Sequence, residues 1–245
     1  LPFGQNELIE DILKINKNTG VIIISGNAVA MPWLDKVPAL MQSWYLGSQA
    51  GTATANIIAG DVNPSGKLPF SFPKKLEDNG AISFGKISYP GDSINQVYKE
   101  GLLVGYRWHD TKKIPAMFPF GYGLSYTTFE YGKATTDKKE YGKNETIKVS
   151  FVLTNKGKAD GAESVQIYAS QSKPSLERPT KELKAFQKVF LKVGESKTVE
   201  LSVPVESLAF FDDKSHSWIV ESDQFTLHCA ASSADIRSSV AVKVK

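Results

Sequence analysis

The sequence predicts an α/β unit followed by an all-β antiparallel sandwich, and two observations support this fold class. The first is the run VIIIS at 21–25, a continuous β-branched stretch bounded by glycines, which is typical of a strand covered on both faces. The second is that, from about residue 134, apolar residues recur at every second position. This period of two indicates about seven short strands, each with one buried face, as in an antiparallel sandwich.

The first 70 residues alternate between helical and strand patterns. Residues 5–15 place apolar side chains at helical spacing, with acidic residues early, where the helix dipole favours them. After VIIIS, the segment LDKVPALM predicts a second helix and SWYLG a second strand. Small residues at 48–60 predict a further helix that ends at a glycine cap. Such alternation indicates a mostly parallel sheet, and two or three strands leave that sheet incomplete.

A long connection with little periodicity but many aromatic residues follows at 71–133. Long loops inside compact domains are uncommon and are usually functional or wrapped over a neighbour. The aromatic content favours wrapping over disorder, and the run FPFGYG at 118–123 needs a surface to lie against. We therefore expect an ordered connector, and we predict domains at 1–70, 71–133 and 134–245.

The composition excludes several classes of function. There are 29 basic and 26 acidic residues, and the net charge of +3 is too small and dispersed to indicate a nucleic-acid partner. No stretch approaches the roughly 18 apolar residues of a membrane helix. The single cysteine, Cys229, excludes an intrachain disulfide, and its position in an alternating strand predicts a buried structural thiol.

Common nucleotide and metal motifs are also absent. The segment GDVNPSGKL has five residues between Gly60 and Gly66 and a leucine after Lys67. A phosphate-binding loop needs four residues at that point and a Ser or Thr after the lysine. None of the three histidines has a second His or Cys at ligand spacing, so no metal site is predicted.

Five short motifs span the first 129 residues. They are MPW (31–33), WYLGSQAG (44–51), NPSGKLPFSFP (63–73), YKEGLLVGYRW (98–108) and FPFGYGLSYTTF (118–129). In this order they resemble the C-terminal portion of glycoside hydrolase family 3, the β-glucosidase and β-xylosidase family. The later pieces GAESVQIY, RPTKELKAF and GESKTVEL resemble the fibronectin type III-like domain that closes many members. The resemblance implies the C-terminal half of an α/β sandwich domain, a wrapping connector and a fibronectin type III-like antiparallel β-sandwich.

The resemblance also implies an activity. Members of this kind are retaining, exo-acting β-glucosidases that hydrolyse terminal non-reducing β-D-glucosyl residues of oligosaccharides without a cofactor. In the family an Asp nucleophile lies in a preceding (β/α)8 barrel, and an acid/base Glu lies in a loop shortly before the segment that matches LPFGQNEL. Neither motif has a counterpart here, so the resemblance assigns no catalytic residue to this chain.

The resemblance further implies the surroundings of the chain. The implied partners are the N-terminal barrel portion of the same polypeptide and a β-linked gluco-oligosaccharide. A homodimer and a periplasmic or extracellular location are expected from the resemblance alone.

The carboxyl ends of strands are where ligands gather in open α/β sheets, which directs attention to the residues after VIIIS. Together with the family's acid/base loop, this predicts that Asn27, Met31 and Trp33 line one rim of the substrate site. The Trp33 ring would stack on a sugar or, as the alternative, fill the interface between helix and barrel. The same two alternatives apply to Trp44 and Tyr45.

Other interpretations of the sequence stay open. Instead of a β-glucosidase portion, the chain could be a non-catalytic carbohydrate-binding or adhesion module, or part of an N-acetylglucosaminidase. The choice between glucose and xylose is also open. Among the acidic residues, Glu100 is predicted to form a structural ion pair with Arg107, seven residues later.

Overall fold

The computed structural model describes all 245 residues, and its first part is a small α/β unit. This unit consists of α1 (Gln5–Ile15), β1 (Gly20–Ile23), β2 (Ala39–Gln42) and α2 (Ala50–Ala59). Strands β1 and β2 pair in parallel, with Gly20 opposite Ala39 and Ile23 opposite Gln42. The predicted parallel sheet is thus confirmed, with two strands.

The second helix and strand of this unit differ from the prediction. Within LDKVPALM only Leu34–Lys36 forms a single 3₁₀ turn, and β2 begins at Ala39. Pro38 explains the difference, because proline lacks a backbone donor and disfavours the helical conformation of the residue before it. Accordingly, Val37 has the extended angles φ −100° and ψ 120°. The segment SWYLG, predicted to be a strand, therefore lies in the loop that follows β2.

The connector contains two short helices, α3 (Gly80–Ser83) and α4 (Tyr106–Lys112). Near the start of the connector, Phe72 pairs with Phe118 in an isolated β-bridge, beside the core of the α/β unit. This bridge brings two distant parts of the connector together. On α4, the Tyr106 ring stacks on Phe120 at 4.8 Å between centroids, and its hydroxyl accepts a hydrogen bond of 2.8 Å from the backbone of Leu183. The connector thus contacts both the α/β unit and the sandwich.

The rest of the chain is an antiparallel β-sandwich, as predicted. Six strands have nine to eleven residues each, and five are shorter. The strands are β3 (Phe129–Tyr131), β4 (Thr135–Thr136), β5 (Glu140–Tyr141), β6 (Thr146–Asn155), β7 (Gly161–Gln171), β8 (Glu182–Leu191), β9 (Ser196–Pro204), β10 (Phe210–Asp212), β11 (Ser217–Ile219), β12 (Gln224–Ser232) and β13 (Asp235–Val244).

Two sheets and one hairpin make up this sandwich. One sheet has the order β5-β13-β12-β7-β8; in the other, β6 pairs with β3, β4 and β9; β10 and β11 form a separate hairpin. A cluster of 21 buried residues fills the space between the sheets. Cys229 lies fully buried in this cluster, which confirms the predicted buried thiol, and burial raises the pKa of the thiol to about 12. No helix anywhere in the chain is long and apolar enough to cross a membrane.

Candidate functional site

The carboxyl ends of β1 and β2 lie at the same edge of the sheet because the strands are parallel. The side chain of Gln42, the last residue of β2, links the two strand ends. Its Nε2 donates hydrogen bonds to the carbonyl oxygen (3.1 Å) and to the Oγ (3.2 Å) of Ser25. The Ser25 hydroxyl in turn donates to the carbonyl oxygen of Asn27 at 2.8 Å. This chain of hydrogen bonds fixes the loop after β1 against β2.

The three residues predicted on the rim lie in this loop, but their exposure differs. Asn27 is exposed, whereas Met31 and Trp33 are buried in the core with Leu13. The Trp33 side chain is 0% exposed, and its Nε1 donates a 2.9 Å hydrogen bond to Oδ1 of Asn6 on α1. Protein atoms of this chain therefore cover both faces of the indole. This argues against stacking on a sugar and favours the packing alternative; the rim assignment itself stays a prediction.

Tyr45 is the exposed aromatic residue at this edge, with 78% of its surface accessible. The backbone of the preceding Trp44 has φ 53°, a left-handed conformation that is strained for so bulky a residue. The Trp44 ring is held edge-on against Phe70 at 5.5 Å. A Cβ at Gly26 would lie 3.0 Å from Cε2 of Tyr45, so the tyrosine ring lies closely against the loop after β1. The sequence could not show this contact, because it joins loops that are separate in sequence.

Two side-chain atoms beside Tyr45 are buried without a hydrogen-bond partner, Oε1 of Gln42 and Oγ of Ser43. Leaving a buried polar group unpaired costs about 1–3 kcal/mol. Strained backbone and unpaired polar groups cluster at functional sites more than elsewhere in folds. The strand edge that carries Tyr45 has both features, and so does the end of α4, where Oδ2 of Asp110 has no hydrogen-bond partner and Lys113 has φ 56°. The strand edge is preferred as the candidate site because it lies at the carboxyl ends of parallel strands, where ligands gather in α/β sheets.

Three buried or partly buried carboxylates form ion pairs, those of Asp110, Glu163 and Glu182. Oε2 of Glu100, in contrast, is buried without a hydrogen-bond partner. Glu182 lies 3.1 Å from both Arg107 and Arg178 and 3.5 Å from Lys184. Burial alone would raise the pKa of Glu182, but attraction to these three cations holds it below its usual value. Burial also lowers the pKa of Lys184, against the attraction of Glu182. The predicted pair between Glu100 and Arg107 is wrong, because Arg107 reaches across to β8, a contact between segments distant in sequence.

The glycine-rich segment around Lys67 has a structural role. The lysine ammonium donates to the carbonyl oxygen of Gly123 at 2.9 Å and lies 3.2 Å from Glu163 on β7. Glu163 also accepts a hydrogen bond of 2.9 Å from the hydroxyl of Tyr131, and burial together with this carboxylate raises the pKa of that tyrosine. The segment thus joins the α/β unit to the sandwich. Nowhere do three His, Cys, Asp or Glu side chains converge as metal ligands would.

The sequence matches the profile of the glycosyl hydrolase family 3 C-terminal domain over residues 1–126. The chain belongs to glycosyl hydrolase family 3. The profile of the fibronectin type III-like domain matches residues 163–233, within the sandwich.

Similar family 3 proteins are named as β-glucosidases. Beta-glucosidase BoGH3A of Bacteroides ovatus is 54% identical over 98% of this chain, and thermostable beta-glucosidase B of Acetivibrio thermocellus is 44% identical over all of it. The chain covers 32% of each of these proteins. It therefore spans about a third of the length of the curated relatives it matches.

Solved structures of family 3 proteins have the same fold. The β-glucosidase DesR from Streptomyces venezuelae, in complex with D-glucose, superposes with a TM-score of 0.95 at 39% identity, over 100% of this chain and 31% of that one. The β-glucosidase of Kluyveromyces marxianus superposes with a TM-score of 0.94 at 38% identity, over 100% of this chain and 28% of that one.

Proposed function

We propose that this chain is the C-terminal portion of a retaining, exo-acting β-glucosidase that hydrolyses terminal non-reducing β-D-glucosyl residues of oligosaccharides. The observation that carries the proposal is the match to proteins named as β-glucosidases, at 54% and 44% identity over nearly the whole chain. The match runs through both the α/β unit and the sandwich, which favours an enzyme over a free-standing binding module.

The reaction needs two carboxyl groups that this chain does not supply. Retaining hydrolysis requires a nucleophile and an acid/base roughly 5–5.5 Å apart. Here Glu163 and Glu182 neutralise buried cations, and Asp110 lies 2.7 Å from Lys181. We therefore assign both groups to preceding parts of a longer polypeptide: the nucleophilic Asp to the N-terminal barrel, and the acid/base Glu to the loop shortly before the segment LPFGQNEL.

The surface of the α/β unit supports a partner of this kind. Two strands alone are marginally stable at best, and Leu8, Ile15, Ile24 and Ile58 expose apolar side chains around them. An exposed apolar set of this extent marks an interaction surface. We assign it to the N-terminal portion of the same polypeptide, which would complete the sheet.

In this arrangement the edge at β1 and β2 forms one rim of the substrate site. Tyr45 and Asn27 present their exposed side chains to the substrate, and the β-linked gluco-oligosaccharide stacks on the tyrosine ring. Met31 and Trp33 support the rim from within the core. A homodimer and a periplasmic or extracellular location remain expectations from the family.

Release of nitrophenol from an aryl β-glucoside tests this function. The purified chain alone should show no turnover, and adding the preceding portion of the polypeptide, covalently or as a second fragment, should produce it. Aryl β-xyloside and aryl β-N-acetylglucosaminide serve as comparison substrates. Turnover by the chain alone that is lost on changing one of its own carboxylates would contradict the proposal. Faster turnover of the N-acetylglucosaminide by the whole protein would contradict the assigned sugar.

A further inference from the structure

Trp218 stands apart from the other three tryptophans of the chain. Trp33 and Trp108 are buried and Trp44 is partly buried, whereas Trp218 is 72% exposed. It lies on β11, in the hairpin that β10 and β11 form outside the two main sheets of the sandwich. An exposed indole leaves a large apolar surface in water. Packing within the sandwich does not explain why a tryptophan occupies this position.

A second aromatic ring supports the indole. Phe211 lies directly opposite Trp218 in the hairpin register and is itself exposed. The two ring centroids are 5.7 Å apart, with an angle of 72° between the ring planes, which is a favourable edge-to-face arrangement. Phe211 thus contacts the Trp218 indole on one side, while most of the indole surface stays accessible.

Contacts at the turn and at the base stabilise the hairpin. The Asp212 carboxylate accepts hydrogen bonds from the backbone (3.0 Å) and the hydroxyl (2.6 Å) of Ser215 at the turn. At its base, the Arg178 guanidinium lies over the ring of Phe210, 5.5 Å from the ring centre. A ligand would therefore meet a preformed surface and would pay little to order it.

The size and chemistry of this surface decide which ligand fits. A stable protein interface needs about 1,000 Å², whereas two partly exposed aromatic side chains offer on the order of 200–300 Å². That area matches one or two sugar rings, whose apolar faces stack on an indole. The exposed side chains of Asp213, Lys214 and Ser217 around the rings provide hydrogen-bonding groups for sugar hydroxyls.

We infer that the Phe211–Trp218 hairpin is a binding site for the chain of a β-linked glucan. The choice of glucan rests on the proposed function, since a β-glucosidase would meet such chains. The site holds the polymer through stacking and takes no part in bond cleavage.

Affinity electrophoresis of the whole protein that contains this chain tests the site, in native gels with soluble mixed-linkage β-glucan or with dextran, an α-linked polymer. The wild type should be retarded by the β-glucan alone. Trp218→Ala should weaken the apparent affinity about tenfold, and Trp218→Phe should restore much of it. Phe186→Ala is the matched control, because Phe186 is a similarly exposed aromatic residue (70%) that belongs to β8 of the main sheet and not to the hairpin. All variants should turn over an aryl β-glucoside as the wild type does, which shows that they are folded.

Equal retardation of wild type and Trp218→Ala would overturn the inference, as would an equal loss in Phe186→Ala. A wild type that is not retarded, together with lower thermal stability of Trp218→Ala, would overturn it in favour of packing against another part of the protein. Binding is scored without catalysis. Hence Trp218-dependent retardation by a protein without glucosidase activity would support the hairpin site while contradicting the proposed function.

Discussion

Replacing Trp33 or Tyr45 by alanine in the whole protein should separate stability from substrate binding. The two residues follow neighbouring strands of one sheet, but Trp33 is fully buried and Tyr45 is 78% exposed. We expect Trp33→Ala to destabilise the fold with little effect on binding, and Tyr45→Ala to weaken binding with little effect on the fold.

The magnitudes follow from burial. Removing a fully buried tryptophan side chain costs about 3–5 kcal/mol, and the hydrogen bond from Nε1 to Asn6 is lost with it. An exposed residue away from the core usually changes stability by about 0.5 kcal/mol or less. A sugar ring that stacks on Tyr45 would contribute about 1 kcal/mol, so KM should rise several-fold in Tyr45→Ala.

Urea unfolding and steady-state kinetics on a β-linked disaccharide measure the two effects in parallel. Tyr45→Phe is the control, because it keeps the aromatic face and should bind as the wild type does. At low temperature, where Trp33→Ala is still folded, its KM should stay near the wild-type value. A normal unfolding midpoint with a raised KM in Trp33→Ala would refute this reasoning and restore the stacking role that the sequence suggested for Trp33.

Two further predictions concern the buried ion pairs. Glu163→Gln leaves the Lys67 ammonium buried without its carboxylate, and urea unfolding should show a loss of stability of about 3 kcal/mol. Adding Lys67→Met to Glu163→Gln should recover part of that loss. If the effects of the two substitutions on stability are simply additive, the two residues are not coupled and the prediction is wrong. Glu182 has a lowered pKa in the folded state, so its contribution to stability is present above the unfolded pKa of about 4.3 and is lost as the pH falls through the lowered value. The stability difference between wild type and Glu182→Gln should therefore be largest near neutral pH and shrink below about pH 4, and a difference that grows on acidification would contradict this assignment.

Patterns that depend on neighbours in sequence predicted much of the fold. The alternation in TIKVSFVLTN matches strand β6, and helical spacing matches α1 from Gln5 to Ile15. The boundary of β2 was missed because a single proline, Pro38, outweighs the apolar pattern around it. Domain limits at 70 and 133 remain predictions.

Contacts between distant segments explain what the sequence could not predict about the candidate site. Burial of Trp33 depends on α1 and Phe72, which are brought together only by the fold. The exposed Tyr45 follows a left-handed residue, Trp44, and lies against Gly26 of another loop. No sequence period carries these two facts, so local patterns could not tell which aromatic residue at this edge is buried and which is exposed.

At Gly123 the segment FPFGYGLSYTTF closely approaches the segment NPSGKLPFSFP, and this contact links the sandwich to the edge of the α/β unit that carries Tyr45. A Cβ at Gly123 would lie 2.1 Å from the carbonyl oxygen of Gly66. Any side chain at Gly123 would therefore separate the segment that contains Lys67 from the segment that leads into the sandwich. A few residues beyond Lys67, Phe70 holds the ring of Trp44, the residue before Tyr45. The sandwich therefore supports the loop that carries Tyr45 from a distance, and we expect its removal from the protein to loosen that loop.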